Sequence, residues 1–319
     1  MTSKKYSRGI LVLVIISAGL LFNLFNQGIY GSHDGEIHVA RIAQFREALK
    51  DAQLPVRWLE NLNFGFGYPA FVYTYSAPYY VSSLLSILIP NFEIIFKTLM
   101  FTSVVISAVT FYFFATNSVG RFAAFIGSIF YITAPYRFAD IYERGALGEA
   151  LSFIFIPLLF IAPYVIIKKT FLGFIFSSLI VFAFITTHAL TLLIFLPAQI
   201  LFSILIFGRQ IDKYKILVLA TVFGFFLASF QWLPMIFEQQ YIDLDKTYFN
   251  IFESHFLTIY QLFRIPKENI NIGTGIQLGI VQIAILTVSA IFISYRLIKT
   301  KKVDKLALYF IVGALVACF

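Results

Sequence analysis

Residues 31–42, "GSHDGEIHVARI", crowd His33, Asp34, Glu36, His38 and Arg41 into one short window. A carboxylate beside imidazoles and a guanidinium can take a proton from a hydroxyl and can hold an anion. Asp34, His38 and Arg41 follow i, i+4, i+7 spacing, so a helix starting near Asp34 points them at one site. That helix would gather His38, Val39, Ile42, Phe45 and Leu49 on one side. Glu36, Gln44, Glu47 and Asp51 fall opposite, which suits a helix lying in the headgroup layer. The competing reading makes Asp34 an N-cap and the charges a solvated face.

A second cluster lies in "RFADIYERGALGEALSF", with Arg137, Asp140, Glu143, Arg144 and Glu149. Glu149 falls at the hydrocarbon boundary, where a carboxylate is costly unless paired or functional, and Arg144 is its expected partner. Carboxylates so placed could act as general base, as ligands of a divalent cation (Mg or Mn), or as both. A purely structural Glu–Arg pair is the alternative. His188 in "TTHALTLL" falls at a tight turn between two spans. "QWLPMIFEQQY" sets Gln231, Trp232 and Glu238 at another helix end, where Trp232 fits the aromatic belt. Asp243 and Asp245 form a D-x-D, a weak signal. No phosphate-binding glycine loop is present, and "GFGYP" reads as a turn.

The elements that must position these residues are membrane helices. The 319-residue chain is 60% hydrophobic and 13% charged, with a mean hydropathy of +0.85, which excludes an ordinary soluble domain. The apolar pattern predicts an all-α polytopic transmembrane bundle, a single module over 1–319. Its spans fall at 10–29, 93–115, 121–136, 148–167, 171–187, 189–207, 216–236, 275–297 and a partial 306–319. The last run stops short of a full crossing, so the chain reads as ending within a span.

The apolar run from Ile10 is too long for a signal peptide and lacks a small-residue cleavage site, so it reads as a retained first span. With the N-terminus cytoplasmic, 14 of the 24 basic residues fall on inner segments against two acids, Asp212 and Asp304. That asymmetry follows the positive-inside rule. Outer segments are then 30–92, 137–147 and 237–274. "SAPYYVSSLLSILIP" is short for a span and would invert every later loop, so it reads as an interfacial or re-entrant helix. The net charge of +8 reflects topology, not nucleic-acid binding, and the lone Cys318 excludes an internal disulfide. The cell membrane is the expected location and its lipids the expected surroundings.

With these residues in place, the arrangement over residues 1–275 resembles the GT-C class of integral-membrane glycosyltransferases, which use polyprenyl-phosphate-linked sugars. A first span ends in an acidic motif, a long outer loop carries interfacial helices, and a second outer loop carries another acid. "YSAPYYVSSLL" looks like the interfacial helix preceding the second span in that class. Closer at the level of motifs, "DGEIHVARIAQFREALKDAQLPVRW", "NLNFGFGYPAF" and "ERGALGEALSFIFIPL" resemble bacterial membrane proteins described as 6-pyruvoyl-tetrahydropterin synthase-related. The pterin synthase itself is a soluble enzyme with a three-histidine zinc site. Here the histidines, at 33, 38, 188 and 255, are scattered over separate loops and spans.

The GT-C resemblance implies Asp34 as general base or acceptor-positioning group, and Glu143, or alternatively Glu149, as a carboxylate binding the acceptor or a divalent metal. The chain departs from the class in carrying Glu-Arg-Gly where several relatives have an Asp motif. Arg41, Arg57, Arg144 or Arg264 would hold the donor phosphate, with His38 and His188 as further substrate-binding candidates. The implied partners are a polyprenyl-phosphate sugar and a glycan or lipid acceptor. The implied role is cell-envelope or surface-glycan modification. A transporter is the alternative, although charge at one edge rather than at the midplane argues against it. A non-catalytic membrane scaffold is a further alternative.

Overall fold

The computed structural model describes residues 3–242, 260, 278–301 and 304–316. Among them the chain is all-α, with one isolated bridge between Leu59 and Tyr68. Helices dominate because hydrocarbon offers no partner for a backbone N–H or C=O, and each one left unpaired costs several kcal/mol. Long apolar helices run over Phe92–Val119, Leu147–Lys168, Thr170–Phe207 and Ile280–Thr300. The first helix, α1, covers Ser3–Leu20 and therefore sits earlier than the expected 10–29. Phe22–Phe25 then tightens into a 3-10 turn, and Gly28 turns the chain at φ +73°. Buried Lys97 secures that turn by donating to the carbonyls of Asn26 and Gly28.

Residues between α1 and the long helix α5 (Phe92–Val119) form three short helices at one end of the bundle. They are α2 (Gly35–Lys50), α3 (Ala70–Tyr73) and α4 (Ala77–Leu85). With nine residues, α4 rises only ~14 Å, about half the hydrocarbon thickness. On α2 the buried residues are Gly35, His38, Ile42, Phe45 and Ala48, one helical stripe. Phe45 packs edge-on against Phe71 and Tyr80, which fastens α2 to α3 and α4.

The chain turns at Gly120 (φ +83°) into α6 (Arg121–Ile132), which packs back along α5. A short α7 (Pro135–Phe138) and a π-helical turn, Ala139–Arg144, follow. Then come α8 (Leu147–Ser152) and α9 (Phe155–Lys168). Next is α10, Thr170–Phe207, whose 38 residues would extend ~57 Å if straight. It is not straight. His188 is non-helical (φ −165°, ψ 90°), and the ends of α10 meet at the same place. A Cβ on Gly173 would strike Ile166 on α9, while Phe207 clusters with that same Ile166. Midway, Phe155 meets Phe184 of the first arm and Phe160 meets Phe202 of the second. The segment is a hairpin of two crossings that reverses at His188.

The helix α11 (Ile211–Leu227) bends by 65° into α12 (Ser229–Glu238), where a straight 216–236 span was expected. Gln231 accounts for where α12 lies. It is buried, donates to the carbonyl of Thr74 at 2.6 Å and meets the Ser76 hydroxyl at 2.6 Å. The last described helices are α13 (Ile280–Thr300) and α14 (Lys305–Val316).

Candidate active site

Two loops that are distant in sequence are joined here through their backbones. The N–H of His33 donates to the carbonyl of Glu143, and that of Asp34 to the carbonyl of Arg144, each at 2.9 Å. Glycine makes this approach possible. At Gly145 (φ +66°) a Cβ would lie 2.7 Å from the Ser32 hydroxyl and 3.0 Å from the Gly35 nitrogen. The two charged sequence clusters thus form one polar region at the end of the bundle.

Asp34 occupies the N-cap position of α2, but its side chain caps nothing. The Gly35 N–H is taken instead by the Ser32 hydroxyl at 3.2 Å. The half-buried Asp34 carboxylate has no hydrogen bond or ion pair among the described residues. It remains available as an acceptor.

Beneath it lies a group that local sequence patterns did not single out. Tyr79, fully buried, contacts His38 Nδ1 at 2.7 Å through its hydroxyl, and its ring stacks on that of Tyr75 at 6.0 Å. Burial, reinforced by the Arg41 charge, pushes the His38 imidazole down to about 3, so it stays neutral. Both Asp34 and Arg41 act electrostatically on Tyr75 and Tyr79. The Arg41 guanidinium lies 5.9 Å from the Tyr68 ring, and its buried Nε has no partner.

Tyr75 connects the two halves. Its hydroxyl accepts the Gly148 N–H at 3.0 Å, and a Cβ on Gly148 would overlap its ring. The His38 and His188 rings flank it at 6.4 and 5.9 Å, and His188 Nδ1 contacts the Thr191 hydroxyl at 2.7 Å. The sequence signal for this element was the i, i+4 pair Tyr75 and Tyr79 on either side of Pro78.

Across the joint, Arg144 binds Glu149 at 2.5 Å, Asp140 at 3.3 Å and the Tyr136 hydroxyl at 2.8 Å. Tyr136 also donates to Glu149. Asp140 and Arg144 are four residues apart on the π-helical turn Ala139–Arg144, which leaves them on one side of it. Asp140 is fully buried, and desolvation together with the Glu149 charge holds its carboxyl well above the usual carboxylate range. Arg137, also buried, lies 4.1 Å from the Phe153 ring centroid and donates to Ala150 and Ser107.

The site therefore collects Asp34, His38, Arg41, Arg144, Glu149 and His188, with the backbone of Glu143 at the joint. Arg57 makes no side-chain hydrogen bond or ion pair with them or with any other of the described residues. Its backbone bonds Gln53 and Phe71. Arg264 lies outside the described residues, as do Asp243 and Asp245 and most of the 237–274 segment.

The sequence from 71 to 318, which carries the Tyr75–Tyr79 group and the 137–149 cluster, matches a family model described as a 6-pyruvoyl-tetrahydropterin synthase related domain, membrane protein. The chain belongs to this family. No curated protein and no solved structure matches it. Membership in the pterin synthase-related family agrees with the helical membrane architecture.

The chemistry in that family's description has no counterpart in this site. Among the described residues, no three of His, Cys, Asp and Glu come together in a way that could hold a metal. His38 is spent on Tyr79 and His188 on Thr191. The described side chains of this pterin synthase-related protein thus do not assemble the three-histidine zinc site of the pterin synthase.

Proposed function

We propose that this chain is a glycosyltransferase of the GT-C kind, using a polyprenyl-phosphate-linked sugar at the outer face of the cell membrane to modify a surface glycan or envelope lipid. The observation that carries the reading is the uncommitted Asp34 carboxylate. It stands at a helix start already capped by Ser32, on a loop stitched to the Arg144–Glu149 cluster. A lipid-linked phosphate stays in the headgroup layer, so a reaction that consumes it belongs at such a membrane edge.

In this reading Asp34 takes the proton of an acceptor hydroxyl. The freed oxygen attacks the anomeric carbon, the bond from that carbon to the phosphate oxygen breaks, and its electron pair leaves with the polyprenyl phosphate. Arg41, with one donor still unpartnered, and Arg144 offset the charge that develops on the leaving phosphate. Glu143 orients the acceptor from the adjoining loop. His38, held neutral, keeps Tyr79 in position.

The test compares wild type with Asp34→Asn in a deletion background, using the full chain. Surface glycans and polyprenyl-phosphate sugars are profiled by mass spectrometry. The expected result is loss of one glycan and build-up of one lipid-linked sugar, restored by wild type alone. Full restoration by Asp34→Asn at equal expression overturns the site. Unchanged profiles in the deletion strain overturn the transferase reading and leave a transporter or scaffold.

A further inference from the structure

A cavity of about 690 Å³ lies between α6 on one side and α13 and α14 on the other. Its walls are apolar almost throughout, and its α13 lining extends from Gln282 to Ile293, ~16 Å along the helix axis. The volume falls within the range of sites that hold a single small ligand, about 300–1,000 Å³. In α13 the most apolar 18-residue stretch has none of its residues buried, so the described helices leave this wall uncovered.

One end of the cavity differs from the rest. Tyr136 and Arg137 line it there, and Tyr136 bonds Arg144 and Glu149 of the candidate site. Arg137 is 1% exposed and makes no ion pair among the described residues. Its Nε is buried without a partner. A guanidinium in this position is expensive unless it meets an anion. Glu149 and Asp140 both pair with Arg144, and neither comes within ion-pair distance of Arg137. A guanidinium without an ion pair among the described residues thus sits at one end of an apolar cleft, next to the Arg144 cluster that Tyr136 joins to it.

We propose that this cleft binds a single-chain lipid phosphate, with its hydrocarbon tail between α6 and α13–α14 and its phosphate against Tyr136, Arg137 and Arg144. The inference rests on the transferase reading for the importance of such a lipid, but binding can be measured without any transfer. The tail occupies the apolar wall and the phosphate supplies the charge that Arg137 lacks. The sugar-bearing end is then directed toward the loop joint that carries Asp34.

The test uses the full chain in phosphatidylcholine nanodiscs, with a long-chain polyprenyl phosphate and the matching polyprenol as probes. Occupancy is read by native mass spectrometry. Ser289→Trp fills the cleft, while Val288→Trp, on the exposed side of α13, serves as control. The expected result is a loss of polyprenyl phosphate affinity of roughly tenfold or more for Ser289→Trp and none for Val288→Trp. Arg144→Gln should weaken the phosphate probe and leave the alcohol unchanged.

Because a tryptophan can disturb folding, a photocrosslinking residue at Leu286 provides a second readout. It should label the lipid tail, and the same residue at Val288 should label bulk phosphatidylcholine. Equal affinity in both tryptophan variants, or polyprenol bound as tightly as its phosphate, overturns the proposal. So does crosslinking of Leu286 to another helix or to a second copy. Tight lipid binding without transfer by wild type sinks the transferase reading alone. Transfer that survives Ser289→Trp with lipid affinity intact sinks the cleft alone.

Discussion

The loop at residues 32–35 and the turn at 136–149 both carry carboxylates but use them in opposite ways. In the turn, Arg144 is held by Glu149, Asp140 and Tyr136 together. At the loop, Ser32 takes the Gly35 N–H, Asp34 caps nothing, and its carboxylate has no hydrogen bond or ion pair among the described residues. A carboxylate locked to an arginine braces the structure, and one spared that role can exchange a proton. Charge density alone does not separate the two.

Replacing each carboxylate in turn breaks that comparison most directly. Asp34→Asn should lower sugar transfer by about 10²–10⁴-fold, the usual contribution of a general base, with folded yield unchanged. Rates measured on purified protein with lipid-linked donor decide this, and a drop below tenfold would assign Asp34 to binding alone. At the turn the largest effect should be on stability. Arg144→Met strands two carboxylates, and for groups this buried the loss is on the order of 3 kcal/mol, read from thermal unfolding in detergent. If Arg144→Met melts like wild type but stops transfer, the turn is chemical as well.

The joint between the two regions comes next. Gly145→Ala places a Cβ against Ser32 and Gly35 at a positive φ, which should cost about 1–3 kcal/mol. It should lower transfer even at temperatures where the protein stays folded, because Asp34 moves with Ser32. Titration of His38 contributes a comparable, pH-dependent effect. Its pKa is about 3 when folded and 6.5 for the free side chain, so below pH 6.5 the unfolded chain takes a proton that the folded chain refuses. Stability is therefore unaffected above pH 6.5 and falls as pH drops from 6.5 toward 3. His38→Gln, still facing Tyr79, Tyr75, Phe96 and Arg41, should flatten that slope. The smallest effect belongs to Ser32→Ala, about 1 kcal/mol for a lost cap. Asp34 then becomes the nearest replacement cap, so a fall in transfer beyond the fall in stability would show the carboxylate being diverted.

Much of the α2 side of the site was legible in advance. The i, i+4, i+7 spacing of Asp34, His38 and Arg41 put them along one side of a helix, and α2 buries His38, Ile42 and Phe45 as its periodicity requires. Arg144 with Glu149 was legible too, because a carboxylate at the hydrocarbon edge needs a cation. The roles of Tyr75 and Tyr79 were not. Tyr79 matters through its bond to His38, and Tyr75 through Gly148, 73 residues away.

What the sequence determined alone is whatever the bilayer enforces on each segment separately. Long apolar runs become helices because no other backbone arrangement satisfies its own hydrogen bonds there, and the charged residues collect where the runs end. The reversal at His188 belongs to the same class, since two span-length runs cannot continue as one straight helix. Only the tertiary structure decided that residues 33–34 pair with 143–144, that Gln231 folds α12 onto Thr74 and Ser76, and that Arg137 sits at one end of a cleft. Those outcomes depend on how helices more than a hundred residues apart pack side by side. Small residues such as Gly145 and Gly148 permit that contact without announcing it, because their significance lies in the Cβ atoms that the neighbouring chain leaves no room for.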